Sequence, residues 1–460
     1  MKRESTIIAK LVPLVLMTLV LGSALQTASA QQIRIIPPRS LNPVADRSAV
    51  ALGAAESRVN RLARNRGQFD QDQGFADGTV YHKRHQGKGE QVPSEQSQNT
   101  IPYWSDSFTY QGLEFTYKMV GTDPKKGSRT TVIPTVIVPL AFVFPNGSVY
   151  NAATDPVDGE TAVQRIIESP VFQNYNFVIG GTRVGNTQYG DAFQRANFWD
   201  SVSTRARDYH VLLGQPTVLA AQTVIVPADK DLSRISPRTG LWQPRVDEDF
   251  LVGVQESLIT QLNISPRSLP ILVWGPIITQ ISAAEHFWIS TPNGPVPYIG
   301  TTYHSADNGF FDFGGNTYPF SHEVIEWLND PFTNNYTPGW NFAFDPPSTR
   351  CITWPDDILE VGDPLEFYRE SDKNLTMPTF TYQVADGVFI DYFTRAKRSR
   401  SVNGQYSMFN LRLQNGPPVS TYCSRHRVGC SCSLQTSSGE LLCRLRGVRA
   451  PRYSFSVLGN

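Results

Sequence analysis

The sequence has no excess charge of either sign. Lysine and arginine number 41, aspartate and glutamate number 41, and the formal net charge is zero. That balance lacks the basic footprint of nucleic-acid binding, so no nucleic-acid partner is expected. Cysteine is scarce as well. There are five in 460 residues, and four of them (Cys423, Cys430, Cys432 and Cys443) fall near the end. With only Cys351 in the main body, a disulfide framework does not hold the fold together. No Gly-x-Ser-x-Gly elbow occurs, and no catalytic signature surrounds Cys351, which removes the support for Ser-His-Asp and Cys-His hydrolases. The Gly180-Gly-Thr-Arg-Val-Gly185 run lacks the spacing and the following lysine of a phosphate loop and reads as a turn. Beyond the first 25 residues there is no apolar run long enough for a membrane span.

The first 30 residues have their own logic. Lys2 and Arg3 precede an apolar run from Ile7 to Leu25, which ends at Ala28-Ser29-Ala30. A charged start, an apolar middle and a small-x-small end predict a secretory signal peptide over 1–30. The expected location is therefore secreted or periplasmic, with no membrane attachment after removal. Residues 31–100 are poor in aliphatics after a short helical pattern at 49–65 and predict a low-complexity, disordered N-terminal arm or linker. The folded body is expected over 101–415. Residues 416–460 change character: six arginines (Arg425, Arg427, Arg444, Arg446, Arg449, Arg452) stand against the single acid Glu440, which predicts a basic, cysteine-bearing tail.

Within the body the periodicities mix. Ser107–Tyr117 alternates around Gln111-Gly112 and predicts a hairpin. Thr130–Phe144 predicts buried or edge strands broken at Pro134 and Pro139. Helical character is expected at 158–169, at 187–199 with an Asp191–Arg195 pair, and at 250–262. Strands are expected at His210–Leu213, Gln222–Pro227, Leu269–Pro276, Phe287–Ser290 and Val296–Tyr303. A second hairpin is predicted over Thr379–Phe393, turning at Asp386-Gly387. The fold class is α+β: a mixed sheet with packed helices.

The densest chemistry lies in Tyr318–Pro331. Pro319 suits a first helical turn, and the residue before Pro331 is pushed out of the helical region. His322 and Glu326 are four apart and share one face, with Glu323 one step round. His-Glu-x-x-Glu is the zinc-protease helix pattern with carboxylate in place of the second imidazole. The simplest role assignment makes His322 and Glu326 metal ligands and Glu323 the catalytic base. Glu360, in Leu359-Glu-Val-Gly-Asp-Pro364, is the first choice of third ligand. Asp330, Asp363 and His304 are reserve ligands or orienters of the ligands. Zinc is the expected cofactor, with calcium the alternative because carboxylates predominate.

The segments 321–331, 359–364 and Thr187–Trp199 resemble a family of exported bacterial zincin-like proteins, and the Ser-His-Glu-x-x-Glu core is similar to that of plant EXORDIUM-like secreted proteins. The resemblance spans roughly residues 100–410. It implies a zincin-like metal-site helix and an extracellular setting. The expected function is a secreted metal-dependent, peptidase-like hydrolase with an extracellular protein or peptide substrate. The competing expectation is a non-catalytic exported binding protein with a structural cation or no metal.

Overall fold

The computed structural model describes residues 34–35, 99–235, 240, 242–280, 282–305, 315–340, 356–366, 372–409, 430–434 and 441–445. The expected signal peptide, nearly all of the expected arm with its helical pattern at 49–65, Cys351 and most of the tail lie outside these residues. Ten elements suffice to place the site. In chain order they begin with β1 (Tyr103–Tyr110) and β2 (Leu113–Val120), which pair antiparallel around Gln111-Gly112 as expected. Next come β3 (Thr135–Val143), α1 (Tyr189–Asn197), β4 (Gln222–Ile225), α2 (Glu248–Gln261) and β5 (Leu269–Val273). The hairpin β6 (Ala284–Thr291) and β7 (Gly294–Thr301) leads to α3 (Tyr318–Asn329).

β3 to β7 form the core of an eight-stranded mixed sheet, and β1 and β2 make a separate two-stranded one. The central β3 runs parallel to β5 and to β4, and β5 runs parallel to β7. β6 closes one edge antiparallel to β7. At the other side Thr217–Val218 pairs with β3, and Arg34–Ile35 pairs with Thr217–Val218, both in parallel. The architecture is α+β, with helices packed on both faces.

Side-chain alternation explains the layering. Ile137, Ile271, Val273 and Ile299 enter one core together with Phe193 of α1 and Val324, Ile325 and Leu328 of α3. Val138, Leu140, Leu272, Trp274 and Tyr298 enter a second core with Leu251 and Ile259 of α2. All five residues of β5 are buried, as its apolar run requires when both faces are covered. Each fully buried large apolar side chain contributes roughly 1.5–3 kcal/mol of transfer free energy.

Four expectations are corrected. Pro139 does not break the strand but sits inside β3. On that side of β3 the partner strand changes: Thr217–Val218 pairs with residues 136–137 and Gln222–Ile225 with residues 140–143. Pro139 thus falls in a gap where a ladder N–H is not required. The helix expected from Asp158 begins only at Ala162, because Pro156–Val157 and Glu160–Thr161 form a small antiparallel pair first.

Asp191 and Arg195 do not pair with each other. Asp191 accepts from Thr187 Oγ1 at 2.6 Å and from the Val211 amide at 2.7 Å, and lies 2.8 Å from His210 Nδ1. Arg195 donates instead to the carbonyls of Val184, Arg207 and Tyr209. The buried backbone of adjoining segments offers both side chains closer partners than the next helical turn does.

The Asp386-Gly387 hairpin is absent. Thr381–Ala385 pairs backward with Asp372–Thr376, and the chain beyond Gly387 enters a short helix at Ile390–Phe393. Gly387 serves close packing: a β-carbon there would lie 2.4 Å from Ile325 Cδ1 and 2.9 Å from Phe193 Cε2. A glycine read as a turn is a contact point for α1 and α3.

Candidate metal centre

Helix α3 spans Tyr318–Asn329, with Pro319 in its first turn and Asp330 as its C-cap. Its N-cap, Thr317, makes no side-chain capping bond; its hydroxyl donates to the Gln383 carbonyl at 2.7 Å. Ser321 Oγ accepts from the Ala385 amide at 2.9 Å and so ties the first turn to the same strand. Every residue of α3 is buried. The polar face that His322, Glu323 and Glu326 share is therefore covered too, by His286 of β6 and by a later loop at Gly362 and Asp363.

The imidazole and carboxylates on that face converge. His322 Nε2 lies 3.1 Å from Glu326 Oε1 and 3.2 Å from Asp363 Oδ1. His322, Glu326 and Asp363 can each offer one ligand atom to a common cation. A cation bonded at about 2.1 Å holds its ligand atoms about 3.0 Å apart in octahedral and about 3.4 Å apart in tetrahedral geometry. The measured separations are of that size. Glu326 and Asp363 are at most 1 % exposed, and His322 is 5 % exposed. Burying carboxylates costs several kcal/mol each unless positive charge and hydrogen bonds offset it.

Asp363 arrives on a loop that follows an antiparallel pair between Tyr336–Trp340 and Asp356–Ile358. The loop is fixed by the Leu359 amide donating to the Asn335 carbonyl and the Val388 amide donating to the Val361 carbonyl. Its Gly362 and Asp363 amides point at Glu326 Oε1, at 3.0 and 3.3 Å. The missing side chain of Gly362 gives the His322 ring its room. A β-carbon there would stand 2.6–2.8 Å from three atoms of the His322 ring.

A further imidazole joins from β6. His286 Nδ1 lies 2.9 Å from Glu323 Oε2 and 3.7 Å from Glu326 Oε2, and its Nε2 is 3.8 Å from Glu360 Oε2. His286, Glu323 and Glu326 form a second group able to share a cation. Sequence reasoning began this strand at Phe287 and passed over His286 by one residue. The available signal was alternation: Glu285 and His286 are polar neighbours in a strand, so one of them must face each covered side.

The remaining expected residues are placed as follows. Glu360 is on the same loop as Asp363, yet its carboxylate approaches His286 rather than His322. Both oxygens of Asp330 accept backbone bonds, from Asn334 at 3.0 Å and Asn335 at 2.9 Å, so it shapes the chain exit from α3. His304 Nδ1 lies 3.0 Å from the Ser305 carbonyl, and His304 belongs to neither ligand group.

The electrostatics follow from burial and mutual proximity. Burial opposes charging of His322, but Glu326 and the bond to Asp363 outweigh it, and its pKa rises well above the ordinary imidazole value. His286 behaves alike: burial lowers its pKa, while Glu323 and then Glu326 and Asp330 raise it more. Burial pushes Glu326 upward, an effect that His322 reduces and the neighbouring acids Asp363 and Glu323 add to. Asp330 is raised to about 6, by burial against its two backbone bonds. The arrangement is anion-rich and holds buried His, Glu and Asp groups able to bind a metal ion.

The chain matches no protein-family model, and neither the curated proteins nor the solved structures compared with it include a match.

Proposed function

We propose that this chain is a metal-dependent hydrolase of the peptidase type, exported from the cell, with a zinc ion held by His322, Glu326 and Asp363. The observation that carries the reading is the buried triad itself, with His322 Nε2 3.1 and 3.2 Å from two carboxylate oxygens. Imidazole nitrogen with carboxylate oxygen suits zinc better than calcium, which prefers oxygen alone. The ion would lower the pKa of a water and polarise the scissile carbonyl. Glu323, adjacent to His322 on the helix and 2.9 Å from His286 Nδ1, is the carboxylate that would take up the proton of an attacking water and return it to the leaving nitrogen as the C–N bond breaks. Export rests on the charged, apolar and small-residue succession over 1–30.

The test is zinc loading followed by dialysis and elemental analysis, paired with mass-spectrometric readout of a mixed peptide library. Retained zinc with chelator-sensitive cleavage is the expected result. Protein that retains no zinc after loading overturns the hydrolase reading.

A further inference from the structure

We infer that the centre is built for two divalent cations bridged by Glu326. This rests on the reading of the first triad as a metal site and extends it. The two ligand groups, His322–Glu326–Asp363 and His286–Glu323–Glu326, share only Glu326. Its two oxygens are divided between them. Oε1 faces His322 and accepts from the Gly362 and Asp363 amides, whereas Oε2 faces His286. A carboxylate presenting one oxygen to each side is the bridge of sites whose ions stand about 3.5–4 Å apart.

A second observation points the same way. Glu326 Oε2, which faces Nδ1 of His286 at 3.7 Å, is buried and makes no hydrogen bond. Buried polar atoms are seldom left so, because an unmade bond costs the full desolvation of the group. A cation beside Oε2 supplies the missing interaction. The charge also balances. Glu323, Glu326, Glu360 and Asp363 together carry four negative charges when ionised, and two divalent cations carry four positive ones.

In the two-cation state Glu323 is a ligand rather than the proton acceptor. Glu360, whose side chain is 12 % exposed at the edge of the cluster beside His286, is the carboxylate placed to take the water's proton. The mixed nitrogen and oxygen donors suit zinc, manganese or iron more than magnesium or calcium.

Stoichiometry decides. The full chain is stripped with chelator and titrated separately with Zn²⁺ and Mn²⁺ by equilibrium dialysis, with elemental analysis of the protein. Wild type is expected to saturate at two ions per chain. His286→Ala and Glu323→Gln should each lower this to one, as should His322→Ala and Asp363→Ala acting on the other side. Glu326→Ala should weaken both sites by at least 100-fold. Electron paramagnetic resonance of the Mn²⁺-loaded wild type should show the multiline pattern of an exchange-coupled pair, and the four single-site variants an isolated ion. If a variant does not fold, the wild-type stoichiometry and spectrum still decide. Saturation at one ion, with His286→Ala unaltered and no coupling, overturns the bridged pair but leaves the single-cation reading standing. No uptake at all removes both.

Discussion

Glu285 and His286 are consecutive on one strand and meet opposite helices, and the two encounters differ in kind. On one face Glu285 Oε1 accepts from Gln255 Nε2 of α2, while Gln255 Oε1 accepts from Trp274 Nε1 at 3.1 Å. Both ends of the Gln255 amide are used. On the other face His286 meets Glu323 of α3, next to Glu326, one of whose oxygens makes no hydrogen bond. Gln255 and Glu326 are both wholly buried near the middle of a helix. The neutral one is satisfied by its neighbours. The charged one is surrounded by other acids and by imidazoles whose protonation it must itself support. The fold completes the Gln255 amide, whereas it leaves one oxygen of Glu326 open to a further partner.

The largest way to break this comparison is to truncate its two central residues. Glu326→Ala should abolish zinc retention, a loss of at least roughly 100-fold in affinity, because it removes a ligand. Gln255→Ala should keep full zinc uptake and cost about 1–3 kcal/mol of stability by leaving Trp274 and Glu285 short of a partner. Dialysis with elemental analysis and urea melts separate the two effects. Equal zinc uptake by both variants would refute the contrast.

The next effect is on pH dependence. Asp330 has a folded-state pKa of about 6 against an ordinary 3.8. Between these values the folded chain binds more proton than the unfolded one, so stability falls as pH rises from about 4 to about 6. The loss is on the order of 2–3 kcal/mol for metal-free protein. Asp330→Asn should flatten that part of the curve; urea melts that run parallel for wild type and variant across pH 4–6 would contradict it. The imidazoles act higher on the scale. The His286 and His322 values are raised above 6.5, so the stability they contribute is held below 6.5 and lost as pH rises beyond it.

Two smaller effects sharpen the comparison. Gly362→Ala forces a β-carbon onto the His322 ring and should cost about 2 kcal/mol, expressed as weaker zinc binding more than as a lower melting temperature. Unchanged zinc affinity would show that the loop adjusts without disturbing the ligand. On the opposite face, α2 is capped by Asp247, whose carboxylate accepts from the Phe250 amide at 3.0 Å. Asp247→Ala should lower stability by about 1 kcal/mol with no change in zinc content, measured on the same samples.

Much of the frame was legible because it is local. The β1–β2 hairpin, the buried strand β5 and the limits of α3 follow from alternation, apolar runs and the two prolines at its ends. Elsewhere local signals misled. Asp386-Gly387 has turn chemistry, yet the glycine is needed where α1 and α3 crowd the chain. Asp191 and Arg195 have the spacing of an ion pair, yet buried backbone groups claim both. In each case long-range packing supplied a closer partner than the neighbouring sequence could.

The sequence by itself determined that His322 and Glu326 share a helical face, since four residues make about one turn. It also determined that Glu323 stands beside them and that the 359–364 loop carries carboxylates. Only the tertiary structure decided that Asp363 approaches His322 while Glu360 turns to His286. It alone brought His286 across from β6 and covered the polar face of α3. The reason is physical. Spacing along one element fixes direction, whereas burial and the meeting of distant side chains depend on how elements pack, which no single segment encodes.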